Sequence, residues 1–144
     1  MTAPYAHIAC CVEGSAASEL ALAEARRLRD LGPGRLTLVH VATAGVTFAG
    51  GPETPIADVV GALESSRRWL ADFAARVPGA EAVLLEGAPP GAVVAWAKES
   101  GPDLLVAAAH RGLLERLLLG SFATHLARHA PCSVLLVRPS GDQG

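Results

Sequence analysis

Residues 103–121 read DLLVAAAHRGLLERLLLGS, and the reading of this stretch decides the fold. Asp103–Ala108 is a short run whose interior has no polar alternation, the pattern of a strand buried on both faces. A loop follows, and Gly120-Ser121 stands where a helix starts, with serine as its N-cap. A buried strand that ends in a loop and delivers a helix N-terminus is where an α/β protein sets an anion or a nucleotide.

On the carboxyl side, Ser121–His129 reads as a helix that stops before Pro131, and Ser133–Arg138, SVLLVR, as a strand. Residues 139–144 read as a frayed tail. On the amino side, Pro90 suits the first turn of a helix whose buried face is Val93, Trp96, Ala97 and Ser100, stopped by Gly101-Pro102. Glu81–Glu86, EAVLLE, is a short strand with acidic ends, which suits a sheet edge. Ile56–Val77 carries Val59, Leu63, Ser66, Leu70, Phe73 and Val77 at spacings of three and four, a helical core stripe with Trp69 packed beside it. Glu64 and Arg68 are placed to pair at i, i+4 on its outer side. Residues 42–54, with Gly45, Gly50, Gly51 and Pro52, form the longest irregular stretch and read as a mobile flap.

The opening of the chain repeats the logic. His7–Val12 is an apolar strand ending in the turn Glu13-Gly14-Ser15. Ser15–Leu31 is a helix with Ala17, Leu20, Ala21, Ala25 and Leu28 as its stripe, stopped by Gly32-Pro33-Gly34. Arg35–Val41, RLTLVHV, is the second strand, and His40 between valines reads as a core histidine with one satisfied hydrogen bond. The sum is βαβαβαβαβ, a single α/β domain over residues 1–144 with a five-stranded parallel sheet and helices on both faces. The first and fourth strands are the most uniformly apolar and take the centre, which gives the order 3-2-1-4-5. The crevice then opens between Val12–Ser15 and Ala108–Ser121, beyond the carboxyl ends of the central strands.

Composition narrows the function. The 144 residues are 51% hydrophobic, with a mean hydropathy of +0.35, yet no run approaches the roughly 18 apolar residues of a membrane span. The N-terminus, MTAPYAHIACC, lacks the basic region and cleavage pattern of a leader, and the chain reads as cytoplasmic. A net charge of −2 and 4% aromatics give no case for nucleic acid or an anionic membrane as partner. Lys98 is the sole lysine, which excludes chemistry that needs a lysine elsewhere. The cysteines Cys10, Cys11 and Cys132 are odd in number and two sit in a strand, so they read as small hydrophobes and not as disulfide partners.

HIACCVEGSAASELAL (7–22) resembles the opening of the universal stress protein family, where an apolar strand runs into V-D-G-S and a helix. PDLLVAAAHRGLLERLLLGS (102–121), followed by ATHLARHAPCSVLLVRP (123–139), is similar to that family's closing half. The resemblance covers the whole chain. It implies a cytoplasmic homodimer with this sheet order, induced by stress. It also implies antiparallel pairing of the last strand with its copy through Ser133, Val134, Leu135, Leu136, Val137 and Arg138, and allows further protein partners.

In the family's nucleotide-binding branch the closing half carries G-x2-G-x9-G-[ST]. Counted back from Gly120-Ser121, the earlier glycines fall on Ala107 and His110. Counted forward from the fourth strand, they fall on Ala108 and either a gap or Arg111. Both alignments lose the first two glycines and keep the last Gly-Ser. Glu13 stands where the family has Asp, and its extra methylene moves the carboxylate outward. Carried over position by position, the resemblance sets a nucleotide, ATP or AMP with Mg²⁺, against Val12, Glu13, Val41, Ala107, Ala108, His110, Arg111, Gly120, Ser121 and Phe122. Two alignments of the loop stay open, and so do two functions. One is an interaction module with weak or absent ATP binding; the other is a nucleotide sensor with a rebuilt loop.

Other constellations are thin. His125 and His129 share a helix at i, i+4 with no third ligand in sequence, so no metal site is expected. Cys132 lies three residues from His129 but at the entry to a strand, which argues against a nucleophilic pair. A GxSxG, a P-loop and a GxGxxG are all missing, as are paired carboxylates. The chain reads as a non-enzymatic module, with weak ATP hydrolysis left open.

Overall fold

A computed structural model describes residues 4–42, 56–109 and 121–138. The elements run β1 (His7–Cys11), α1 (Ala16–Arg29), β2 (Arg35–Ala42), α2 (Ile56–Ala75), β3 (Glu81–Glu86), α3 (Pro89–Ser100), β4 (Leu104–Ala108), α4 (Ser121–His129) and β5 (Ser133–Val137). The expected flap over 42–54 lies, from residue 43 on, outside the described residues, as do His110, Arg111, Gly112, Gly120 and the tail 139–144.

All strands are parallel, in the order β3-β2-β1-β4-β5. β1 sits between β2 and β4, with Ile8 opposite both Leu36 and Leu104 and Cys10 opposite both Leu38 and Val106. Strand parity then divides the core. Ile8, Cys10, Leu38 and Val106 face α1 and α2, where they meet Ala21, Leu22, Ala25, Leu70 and Phe73. Ala9, Val39, Leu105 and Ala107 face α3 and α4, where they meet Val93, Val94, Ala97 and Leu126. Continuous apolar runs in β1 and β4 follow from this, because each strand buries both faces.

Several edges differ from the sequence reading. β4 begins at Leu104 because the Asp103 carboxylate turns back to accept from the backbone N–H of Ala6 and of His7, both at 2.9 Å. β5 ends at Val137, whose partner Ala108 is the last residue of β4. On α1 the core position is Leu22, and Leu20 is 43% exposed. On α3 Val94 is buried and Ser100 is exposed, since the helix ends there against Gly101, which takes φ +72 and donates to the Ala97 carbonyl. On α2 Glu64 meets Arg67 at 3.7 Å, in place of Arg68, as an exposed i, i+3 pair of little energetic weight. Among the described residues no helix is long and apolar enough to cross a membrane.

Candidate functional site

The switch in connection between β1 and β4 leaves a crevice at the carboxyl ends of the strands, and a cavity of about 420 Å³ occupies it. Cys11, Val12 and Glu13 enter it from the end of β1. Val39, His40 and Val41 enter from β2, and Ala108 from the last position of β4. Pro89 and Val93 of α3 and Phe122 of α4 complete the described wall. Among these residues only Glu13 and His40 carry ionisable polar heads other than the Cys11 thiol.

The polar groups are held by short-range bonds that the local sequence provides. Ser15 caps α1, its side chain accepting from the Ser18 N–H at 3.1 Å. The buried Ser18 hydroxyl then accepts from the Glu13 N–H at 2.8 Å. One residue earlier, Val12 donates its N–H to the Val39 carbonyl at 2.8 Å and receives His40 Nδ1 on its own carbonyl at 2.9 Å. The backbone that carries Glu13 is thus fixed on both sides. Trp69 lies on the imidazole of His40 at 4.6 Å between ring centroids, and Phe73 lies on Trp69 at 5.0 Å. The Arg76 guanidinium covers Phe73 at 4.6 Å and binds Glu19 of α1 at 3.1 Å. Burial pushes the Cys11 thiol up to about 12, so this half-buried cavity residue is a neutral thiol at physiological pH.

The ten positions carried over from the resemblance fall into three groups. Val12, Glu13, Val41, Ala108 and Phe122 line the cavity. Ala107 is fully buried against the α3 and α4 layer, and Ser121 is an exposed first residue of α4; neither is part of the lining. His110, Arg111 and Gly120 lie outside the described residues. The cavity adds Cys11, Val39, His40, Pro89 and Val93. His40 had one usable signal in sequence, a polar residue at the carboxyl end of a strand that feeds the crevice. Pro89 and Val93 had none, because α3 reaches the cavity by packing across the sheet.

No described residue other than glycine has positive φ. Ala108 is therefore an unstrained strand residue, one that lines the cavity while packing in the core layer toward α1 and α2.

Residues 4–138 match the sequence profile of the universal stress protein family. The chain belongs to that family. A universal stress protein of Methanothermobacter thermautotrophicus strain Delta H is 37% identical over 57 residues, a match spanning 40% of this chain and 39% of that relative. The universal stress protein UspA of Lactobacillus plantarum is 25% identical, with a TM-score of 0.70 over 95% of this chain and 100% of that one. A universal stress protein family member of Arabidopsis thaliana, solved with AMP bound, shares the fold at 19% identity and a TM-score of 0.68, over 95% of this chain and 94% of that one. In this universal stress protein the His125 and His129 rings meet at 4.5 Å with their planes tilted by 48°, and no group of three or more potential metal ligands occurs among the described residues.

Proposed function

We propose that this universal stress protein is a dimeric regulatory module without turnover, whose cavity takes the base and ribose of an adenine nucleotide and holds ATP weakly or not at all. The observation that carries the reading is that Ala108 and Glu13 line the same cavity. A carboxylate at the end of β1 suits ribose hydroxyls, and a cavity of about 420 Å³ lies in the range of small-molecule sites. The methyl group of Ala108 takes room from whatever follows the ribose. The AMP held by the Arabidopsis relative agrees with the nucleoside half of this reading.

Dimerisation rests on β5. It is an edge strand, and Val134, Leu135, Leu136 and Val137 are each only half covered. An apolar edge of this kind is completed by a second strand, and a two-fold axis makes the second copy the natural partner. Analytical ultracentrifugation at micromolar concentration should give a dimer; a monomer overturns this part of the proposal.

Calorimetry with ATP, ADP and AMP, with and without Mg²⁺, tests the ligand. Millimolar or absent ATP binding is expected, and Ala108→Gly should tighten AMP by up to about tenfold, worth roughly 1.4 kcal/mol. Micromolar ATP binding favours the second reading, a nucleotide sensor, which draws on Ser121 at the opening of α4. In that case Ser121→Ala weakens ATP more than adenosine.

A further inference from the structure

The wall of the cavity contains an imidazole whose tautomer is fixed by the backbone. The Val12 carbonyl can only accept, so the 2.9 Å contact with His40 Nδ1 requires a proton on Nδ1. In the neutral ring, Nε2 is then a bare acceptor. No other hydrogen bond to His40 occurs among the described residues, and no buried side-chain nitrogen or oxygen among them lacks a partner. Nε2 is therefore not sealed from solvent, and His40 is one of the residues that line the cavity. Trp69 packs against the imidazole at a tilt of 46° and backs it in this orientation.

We infer that His40 determines ligand choice in this cavity, by presenting Nε2 as a fixed hydrogen-bond acceptor to planar ligands that carry an N–H donor, the class of amino-substituted purines. This rests on the nucleoside reading of the site and deepens it. The remainder of the described wall is apolar apart from Glu13. Glu13 and His40 thus divide the recognition: a carboxylate for hydroxyl groups, and an imidazole nitrogen for an amino group. The bond at Nδ1 is what makes the choice possible. An imidazole free to change tautomer could meet an acceptor or a donor alike.

The full chain is titrated by calorimetry with adenosine, with purine riboside, which lacks the 6-amino group, and with N6,N6-dimethyladenosine, which lacks its N–H. The wild-type chain should prefer adenosine to both by about three- to tenfold, the range for one neutral hydrogen bond. His40→Asn keeps an N–H near the Val12 carbonyl but has no acceptor at the Nε2 position, and its preference should shrink to within about twofold. His40→Gln reaches the Nε2 position with an acceptor oxygen and should keep most of the preference. A ¹⁵N shift of His40 Nε2 on adding adenosine, and none on adding purine riboside, supports the same assignment without a variant. Equal affinity for the three nucleosides in wild type, or an unchanged preference in His40→Asn, overturns the role of His40 and leaves the nucleoside site standing. Failure of wild type to bind any of the three overturns the nucleoside reading and this inference with it.

Discussion

His7 Nε2 lies 2.8 Å from the hydroxyl oxygen of Thr37, and both side chains are buried at the amino-terminal end of the sheet. Thr37 gives its proton to Glu81 at 3.1 Å, so the hydroxyl must accept from His7, which fixes the proton on Nε2. Arg35 closes the chain by donating to the same Glu81 oxygen at 2.7 Å. Trp96 meets the His7 ring edge-on at 6.3 Å. This cluster lies at the opposite end of the strands from the cavity.

The cluster predicts how stability responds to acid. Burial, helped by the Arg35 charge, lowers the His7 pKa below its ordinary 6.5. The unfolded chain therefore binds this proton first, and stability falls as the pH drops through about 6.5 until His7 itself protonates. Glu81 is also held low, by its hydrogen bonds from Arg35 and Thr37. Burial alone would raise Asp103, but the N–H groups of His7 and Ala6 outweigh it and hold the carboxyl low. Their contribution is lost in a second step, as the pH falls below their ordinary values of 4.5 and 3.8. Melting temperatures across this range should show both steps. His7→Gln keeps a donor toward Thr37 without a titrating ring, and should diminish the first step and spare the second.

Thr37→Val tests the relay itself. The substitution keeps the shape and leaves the His7 N–H buried without an acceptor, a cost of about 1–3 kcal/mol. Thr37→Ser should recover most of it. Urea unfolding of the three proteins decides the matter, and a valine variant as stable as wild type would show that the relay contributes nothing.

At the cavity end, Ser18→Ala removes the acceptor of the Glu13 N–H. Stability should fall by about 1–3 kcal/mol, and adenosine binding should weaken because Glu13 loses one of its anchors. Ser15→Ala removes the cap of α1 and should cost about 1 kcal/mol, with a smaller effect on binding. The comparison of melting temperature with affinity separates the two roles.

Thiol labelling checks the interior. Burial raises the Cys10 thiol well above its ordinary value and Cys11 to about 12. At neutral pH the thiolate fraction of Cys11 is on the order of 10⁻⁵. A disulfide reagent should leave the buried Cys10 unmodified in the native chain, label the half-buried Cys11 slowly, and label all three cysteines in denaturant. Cys132, half covered and raised less, should react first.

Much of the fold is legible in the amino-acid sequence. Apolar runs without alternation in His7–Cys11 and Leu104–Ala108 marked the central strands, because a strand covered on both faces has no solvent side to make polar. The edges were less legible where a side chain overrides the local pattern. Asp103 belongs to the fourth strand by sequence, yet it serves as an acceptor for the start of the first. Leu20 and Leu22 are equally apolar, and only the seating of α1 on β1 and β4 chooses Leu22 for the core.

The sequence by itself determined the alternation of strand and helix, the strand order and the ends of β1 and β4 that meet at the crevice. Those follow from hydrophobic patterning and chain connectivity, which are local properties. Only the tertiary structure decided that His40 turns Nδ1 to Val12, 28 positions away in sequence. It also decided that Trp69 backs that ring and that Ala108 lines the cavity without backbone strain. Periodicity assigns a residue to a face. Hydrogen-bond direction and ring orientation are set by neighbours from other elements, and those exist only once the sheet has closed around β1.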